Sequence, residues 1–165
     1  MPIDTDRTVQ AAEAYAYHAQ FLAERAQLYQ PETLRRIKRG ESVAAREYIL
    51  KRIELDHLHR AAADLFADYD LLVTPTSPVT APALAELQAN PDDLRRRELI
   101  LLRNTRPFNV LRLPAVSVPC GFTRGGLPIG LQIAGAPGDD ARVLQLAHAY
   151  ERATEWHKRI CDLVI

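Results

Sequence analysis

Cysteine, unbroken apolar stretches and net charge are scarce in this chain of 165 residues, and each scarcity excludes something. Two cysteines, Cys120 and Cys161, make no disulfide framework, so a reducing cytoplasm is the expected setting. No apolar run approaches the roughly 20 residues of a membrane helix, and membrane attachment is not expected. Residues Met1-Pro2-Ile3-Asp4-Thr5-Asp6 lack the basic and then apolar pattern of a secretory leader. Lys+Arg and Asp+Glu each total 21, and the resulting formal charge of zero gives no reason to expect a nucleic-acid partner. The cluster Arg95-Arg96-Arg97 lies beside Asp92, Asp93 and Glu98 and reads as a solvated helix face.

What is present is an ordinary globular mixture, 47% hydrophobic and 25% charged, enough for a core in about one domain. The chain reads as a single partial domain, helical over 1–69 and strand-bearing over 70–165. The spacing predicts a first helix over about 6–28 and a second opened by Pro31 and stopped by Gly40. A third, capped by Ser42, carries an apolar stripe of Ile49, Ile53, Leu58, Ala62, Leu65 and Tyr69. Leu71-Leu72-Val73-Thr74 then reads as a strand stopped by Pro75, with Pro78 and Pro82 forbidding regular structure beyond it. Asn90-Pro91-Asp92-Asp93 opens a helix reaching about Leu102. Strands at 115–119 and 129–134, joined through Gly125-Gly126-Leu127-Pro128, make a hairpin. A last helix is capped by Asp139 or Asp140 and buries Val143, Leu144, Ala147 and Tyr150. Three strands leave free edges, which suggests part of a larger sheet.

Catalytic signatures are missing. There is no G-x-S-x-G elbow and no phosphate-binding glycine loop. Ser77 falls in a proline-rich loop and Ser117 inside a strand. His57 and His59 point about 200° apart on a helix and cannot share a metal, while His148 and His157 are isolated. No metal and no cofactor are expected. Cys120, after Val118-Pro119, reads as a small packed residue rather than a nucleophile. Asp92-Asp93 and Asp139-Asp140 stand at helix starts, where capping accounts for them.

Four stretches carry a family resemblance: Tyr69 to Thr76, Asn104 to Asn109, Leu113 to Gly121, and Gly126 to Gly135. In that order and spacing the chain resembles the C-terminal third of amidase-signature enzymes. Its ending, Val143-Leu144 through Trp156-His157, is also similar. The Pro107-Phe108-Asn109 and Leu113-Pro114 signals suggest a general amidase more than the related amidase-type subunit of glutamyl-tRNA amidotransferase. The resemblance implies an α/β class, as the C-terminal portion of an α/β/α sandwich with a short mixed sheet flanked by helices. It also implies carboxamide hydrolysis by a Ser–cis-Ser–Lys triad whose Gly/Ser-rich signature supplies the oxyanion donors. No such signature occurs here, and Lys38, Lys51 and Lys158 match no catalytic segment, so no catalytic residue is assigned. By position, Thr74, Thr105, Phe108 and Asn109 are expected to face the substrate pocket. Arg112 stands where the family often has glycine, which sets it against close backbone packing at that turn.

Three functions remain open. The chain is an amidase piece inactive alone, a non-catalytic binding or assembly module that self-associates, or a subunit completing a separate N-terminal piece. A small amide substrate is expected only in a completed enzyme.

Overall fold

The computed structural model describes residues 4–89 and 93–160. The helix opening at Asn90-Pro91-Asp92, residues 1–3, and Cys161 fall outside them. The described residues form two compact units, 1–60 and 61–165.

The first unit is helical. Helix α1 (Asp4–Arg25) continues into a 3-10 turn (Ala26–Leu28), α2 spans Pro31–Lys38, a second 3-10 turn spans Arg39–Ser42, and α3 spans Ala45–Ala61. Pro31 occupies the first helical position, where its missing N–H leaves no bond unmade. Gly40 does not cap α2 in a left-handed conformation. It is buried, and a Cβ there would lie 1.9 Å from the Ala11 carbonyl oxygen. Its role is close approach to α1. Ser42 is not the cap of α3 either. The helix begins three residues later, and the Ser42 hydroxyl donates to the Arg39 carbonyl at 3.4 Å.

The expected stripe on α3 is buried only in part: Ala62 is buried and Leu58 half-buried. Leu55 is buried at 4% exposure, whereas Ile49 and Ile53 are about half exposed. Leu55 lies about 200° around the helix from Ile53, which accounts for the reversal. After Ala61 the chain tightens into a 3-10 turn (Ala62–Phe66), and the change of period carries Leu65 and Tyr69 off any common stripe.

The second unit holds the sheet. Strands β1 (Leu71–Pro75), β2 (Ala115–Phe122) and β3 (Pro128–Gly135) lie in the order β1-β3-β2. Both pairings are antiparallel, so these strands do not form the mixed sheet expected. The β2–β3 hairpin imposes one antiparallel pairing, and β1 adds the other on the far side of β3. Helices α4 (Leu84–Ala89), α5 (Leu94–Leu101) and α6 (Arg106–Leu111) lie between β1 and β2 in sequence, and α7 (Asp140–Ala153) follows β3.

Period-two alternation gives the sheet two unlike faces. Val118 and Ile133 pack with Val143 and Ala147 of α7, joined by Leu71, Val116, Leu131 and Tyr150. Leu144, expected on that face, is 59% exposed because it follows Val143 by one residue, about 100° around the helix. Asp139 precedes α7 without a side-chain cap bond. It pairs instead with Arg142, 3.3 Å away. Arg112 closes α6 at φ 56°, ψ 38°, a left-handed conformation that disfavours a side chain. The turn forms nonetheless. The N–H groups of Arg112 and Leu113 donate to the carbonyls of Asn109 and Phe108 at 3.2 and 2.9 Å.

Candidate functional site: a hydroxyl and amide face on the sheet

Register places Thr74, Gln132 and Ser117 side by side on the face opposite α7. Gln132 is 4% exposed, the single buried polar residue among those described. Its Nε2 donates to Thr74 Oγ1 at 3.0 Å and to the Asn104 carbonyl at 3.2 Å. The Asn104 side chain returns toward β1, with Nδ2 donating to the Pro75 carbonyl at 2.8 Å. The segment before α6 is thereby tied to two strands.

One step along the same face, the hydroxyls of Thr76 and Ser117 meet at 2.5 Å. They bridge over the central strand at Gly130. A Cβ on Gly130 would lie 2.7 Å from both oxygens, so the bridge requires glycine there.

The four expected pocket residues take different positions. Thr74 belongs to the network through its hydroxyl oxygen. Thr105 follows Asn104, precedes α6, and donates its hydroxyl to the Leu102 carbonyl at 3.4 Å. Phe108 and Asn109 lie within α6, half-buried and exposed respectively. Asn109 serves the helix end through its backbone carbonyl. Sequence reasoning did not single out Gln132, Asn104 or Thr76. The available signal was one carboxamide in an otherwise apolar, alternating strand.

The other candidates take structural positions. Ser77 donates to the Val79 carbonyl at 2.9 Å, closing the proline-rich turn. Cys120 is half-buried, with Sγ 3.5 Å from the Ile129 carbonyl. Among the described residues no group of three His, Cys, Asp or Glu side chains could hold a metal ion. No helix among them is long and apolar enough to cross a membrane. On α5, Arg96 and Arg97 both donate to Asp93, at 2.7 and 2.9 Å. These bonds, the Arg96 one foremost, lower the Asp93 carboxyl to about 2. Arg96 is thus on a solvated, ion-paired face, as expected, and the Arg95 side chain falls outside those described.

The chain belongs to the amidase family, whose profile matches residues 4–144. It is 40% identical over 148 residues to a glutamyl-tRNA(Gln) amidotransferase subunit of Moorella thermoacetica, covering 87% of this chain and 29% of that protein. To the corresponding subunit of Synechococcus elongatus it is 47% identical over 94 residues, covering 57% of this chain and 19% of that one. Among solved structures, 6-aminohexanoate cyclic dimer hydrolase matches with a TM-score of 0.75 and 26% identity, over 96% of this chain and 35% of that one. A crystal structure of an amidase matches the fold with a TM-score of 0.76 at 23% identity, over 93% and 36%. The chain therefore spans under a third of the length of these curated relatives. The two curated relatives are glutamyl-tRNA(Gln) amidotransferase subunits and the two solved structures an amidase and a cyclic dimer hydrolase, so these likenesses do not separate the general amidase expected from the amidotransferase subunit.

Proposed function

We propose that these residues form the C-terminal sheet and part of the substrate-pocket wall of a carboxamide hydrolase. The reaction-bearing Ser–cis-Ser–Lys segment is then supplied from outside them. The observation that carries this reading is the family match across 4–144 in a chain that covers 29% of its Moorella thermoacetica relative. No Gly/Ser signature occurs in the sequence. Thr74, Thr105, Phe108 and Asn109 line the wall in this reading, with a small carboxamide as ligand. The setting is the cytoplasm, in keeping with the two-cysteine composition.

A second reading has the chain as a non-catalytic assembly module. Exposed apolar side chains in each unit favour surfaces that something covers: Ile49 and Ile53 in the first and Tyr69 and Leu84 in the second are 49–68% exposed. Ammonia release from a simple carboxamide, measured with the purified 165-residue chain, tests the first reading. No release above buffer is expected. Turnover by the chain alone would overturn the statement that its reaction-bearing groups come from elsewhere.

A further inference from the structure

We infer that Gln132 is a positioning residue that makes Thr74 a hydrogen-bond donor toward a substrate carboxamide; this rests on the reading of the face as a pocket wall. The Asn104 backbone carbonyl can only accept, so the Gln132 atom 3.2 Å from it is the nitrogen. The same nitrogen stands 3.0 Å from Thr74 Oγ1 and donates to it. Thr74 is therefore the acceptor in that bond and keeps its own O–H proton. Among the described residues no acceptor takes that proton. A free O–H donor suits the carbonyl oxygen of a carboxamide, which it would bind and orient in the pocket wall.

The burial of Gln132 makes this arrangement stiff. Its carboxamide cannot exchange partners with bulk water at 4% exposure, and Asn104, bonded to Pro75 at 2.8 Å, closes the frame from the other side. A glutamate at 132 reverses the polarity. Its carboxylate accepts the Thr74 proton and removes the donor, and it also faces the Asn104 carbonyl without a hydrogen to share. A methionine keeps the volume, removes the clamp and leaves the Thr74 proton free.

The test uses two preparations. In an amidase completed with an N-terminal signature segment, Gln132→Glu is expected to raise KM for a simple carboxamide roughly 10- to 100-fold, with kcat changed less. Gln132→Met is expected to raise it by a smaller factor. Thr74→Val, which removes the hydroxyl with little change of shape, reproduces the glutamate effect. On the Thr74→Val background Gln132→Glu then adds no more than the smaller factor seen for Gln132→Met, the part that comes from losing the Asn104 bond. Equal KM effects of Glu and Met, or a full additional loss on that background, would overturn the donor role. In the 165-residue chain, Gln132→Met is expected to speed backbone hydrogen exchange at 104–106 while the β2–β3 hairpin keeps its protection. Unchanged exchange there would overturn the clamp. An inactive completed wild type would instead sink the amidase reading, and the exchange result then decides the clamp by itself.

Discussion

Replacing Gly40 by alanine sets a backbone obstacle against an ordinary stabilising effect. Gly40 has no positive φ, so a glycine there for chain freedom alone would predict stabilisation of about 0.4–1 kcal/mol on substitution, from a less flexible unfolded chain. The packing predicts the opposite. A Cβ would lie 1.9 Å from the Ala11 carbonyl oxygen, 2.5 Å from its carbon and 2.7 Å from Tyr15 Cβ, where real Cβ contacts stay beyond 3.0 Å. The 39–42 turn must move off α1 by about 1.1 Å, enough to forfeit a quarter to a half of each dispersion contact across that junction. The obstacle is backbone and cannot rotate away, so the cost falls at the upper end for overpacking, about 3 kcal/mol. In a unit of 60 residues that corresponds to roughly 12–24 °C of melting temperature. Far-UV circular dichroism follows the helices of both units and the single tryptophan, Trp156, reports on the second alone, so a loss seen by dichroism ahead of the Trp156 signal marks the first. Ala11→Gly should not rescue the variant, because the clash is with the Ala11 carbonyl. A Gly40→Ala protein as stable as the parent, or more so, would refute the reasoning.

Other consequences follow from the same contacts. Gly130→Ala forces apart the Thr76 and Ser117 hydroxyls and should cost about 1–3 kcal/mol in urea unfolding read from Trp156 emission. Ser117→Ala in the same chain should recover part of that loss. The Glu32 carboxyl is held at about 2 by hydrogen bonds, first from Arg35 and then from Arg36. Because its folded value lies below the ordinary 4.5, its stabilisation is complete above about pH 4.5 and is lost as pH falls toward 2. Glu32→Gln should therefore flatten the acid limb of helix unfolding between those values, by a small amount since the pair is exposed.

How much of this was legible in the sequence varies with the element. The hairpin was, because alternation, a glycine-rich turn and the flanking strands agree. β1 was, because a proline stops a short apolar run. Helices α4 and α6 were not. Each has only six residues, too short for a helical period, and both follow proline-rich or motif-bearing loops. The start of α3 was misplaced because Ser42 offers cap chemistry, but the chain first completes a 3-10 turn. At the site, Thr74 was reached through a motif. Gln132 was not, because the strand's hydrophobic pattern carries no record of which residue pairs with it across 58 positions of sequence.

The most direct test of the central claim is amide hydrolysis after completion of the domain. The 165-residue chain, an N-terminal amidase-signature polypeptide and their mixture or fusion should be assayed together for ammonia release. The account predicts turnover only where both parts are present. Turnover by the 165-residue chain alone, or none from the fused and folded domain with any simple carboxamide, would contradict it.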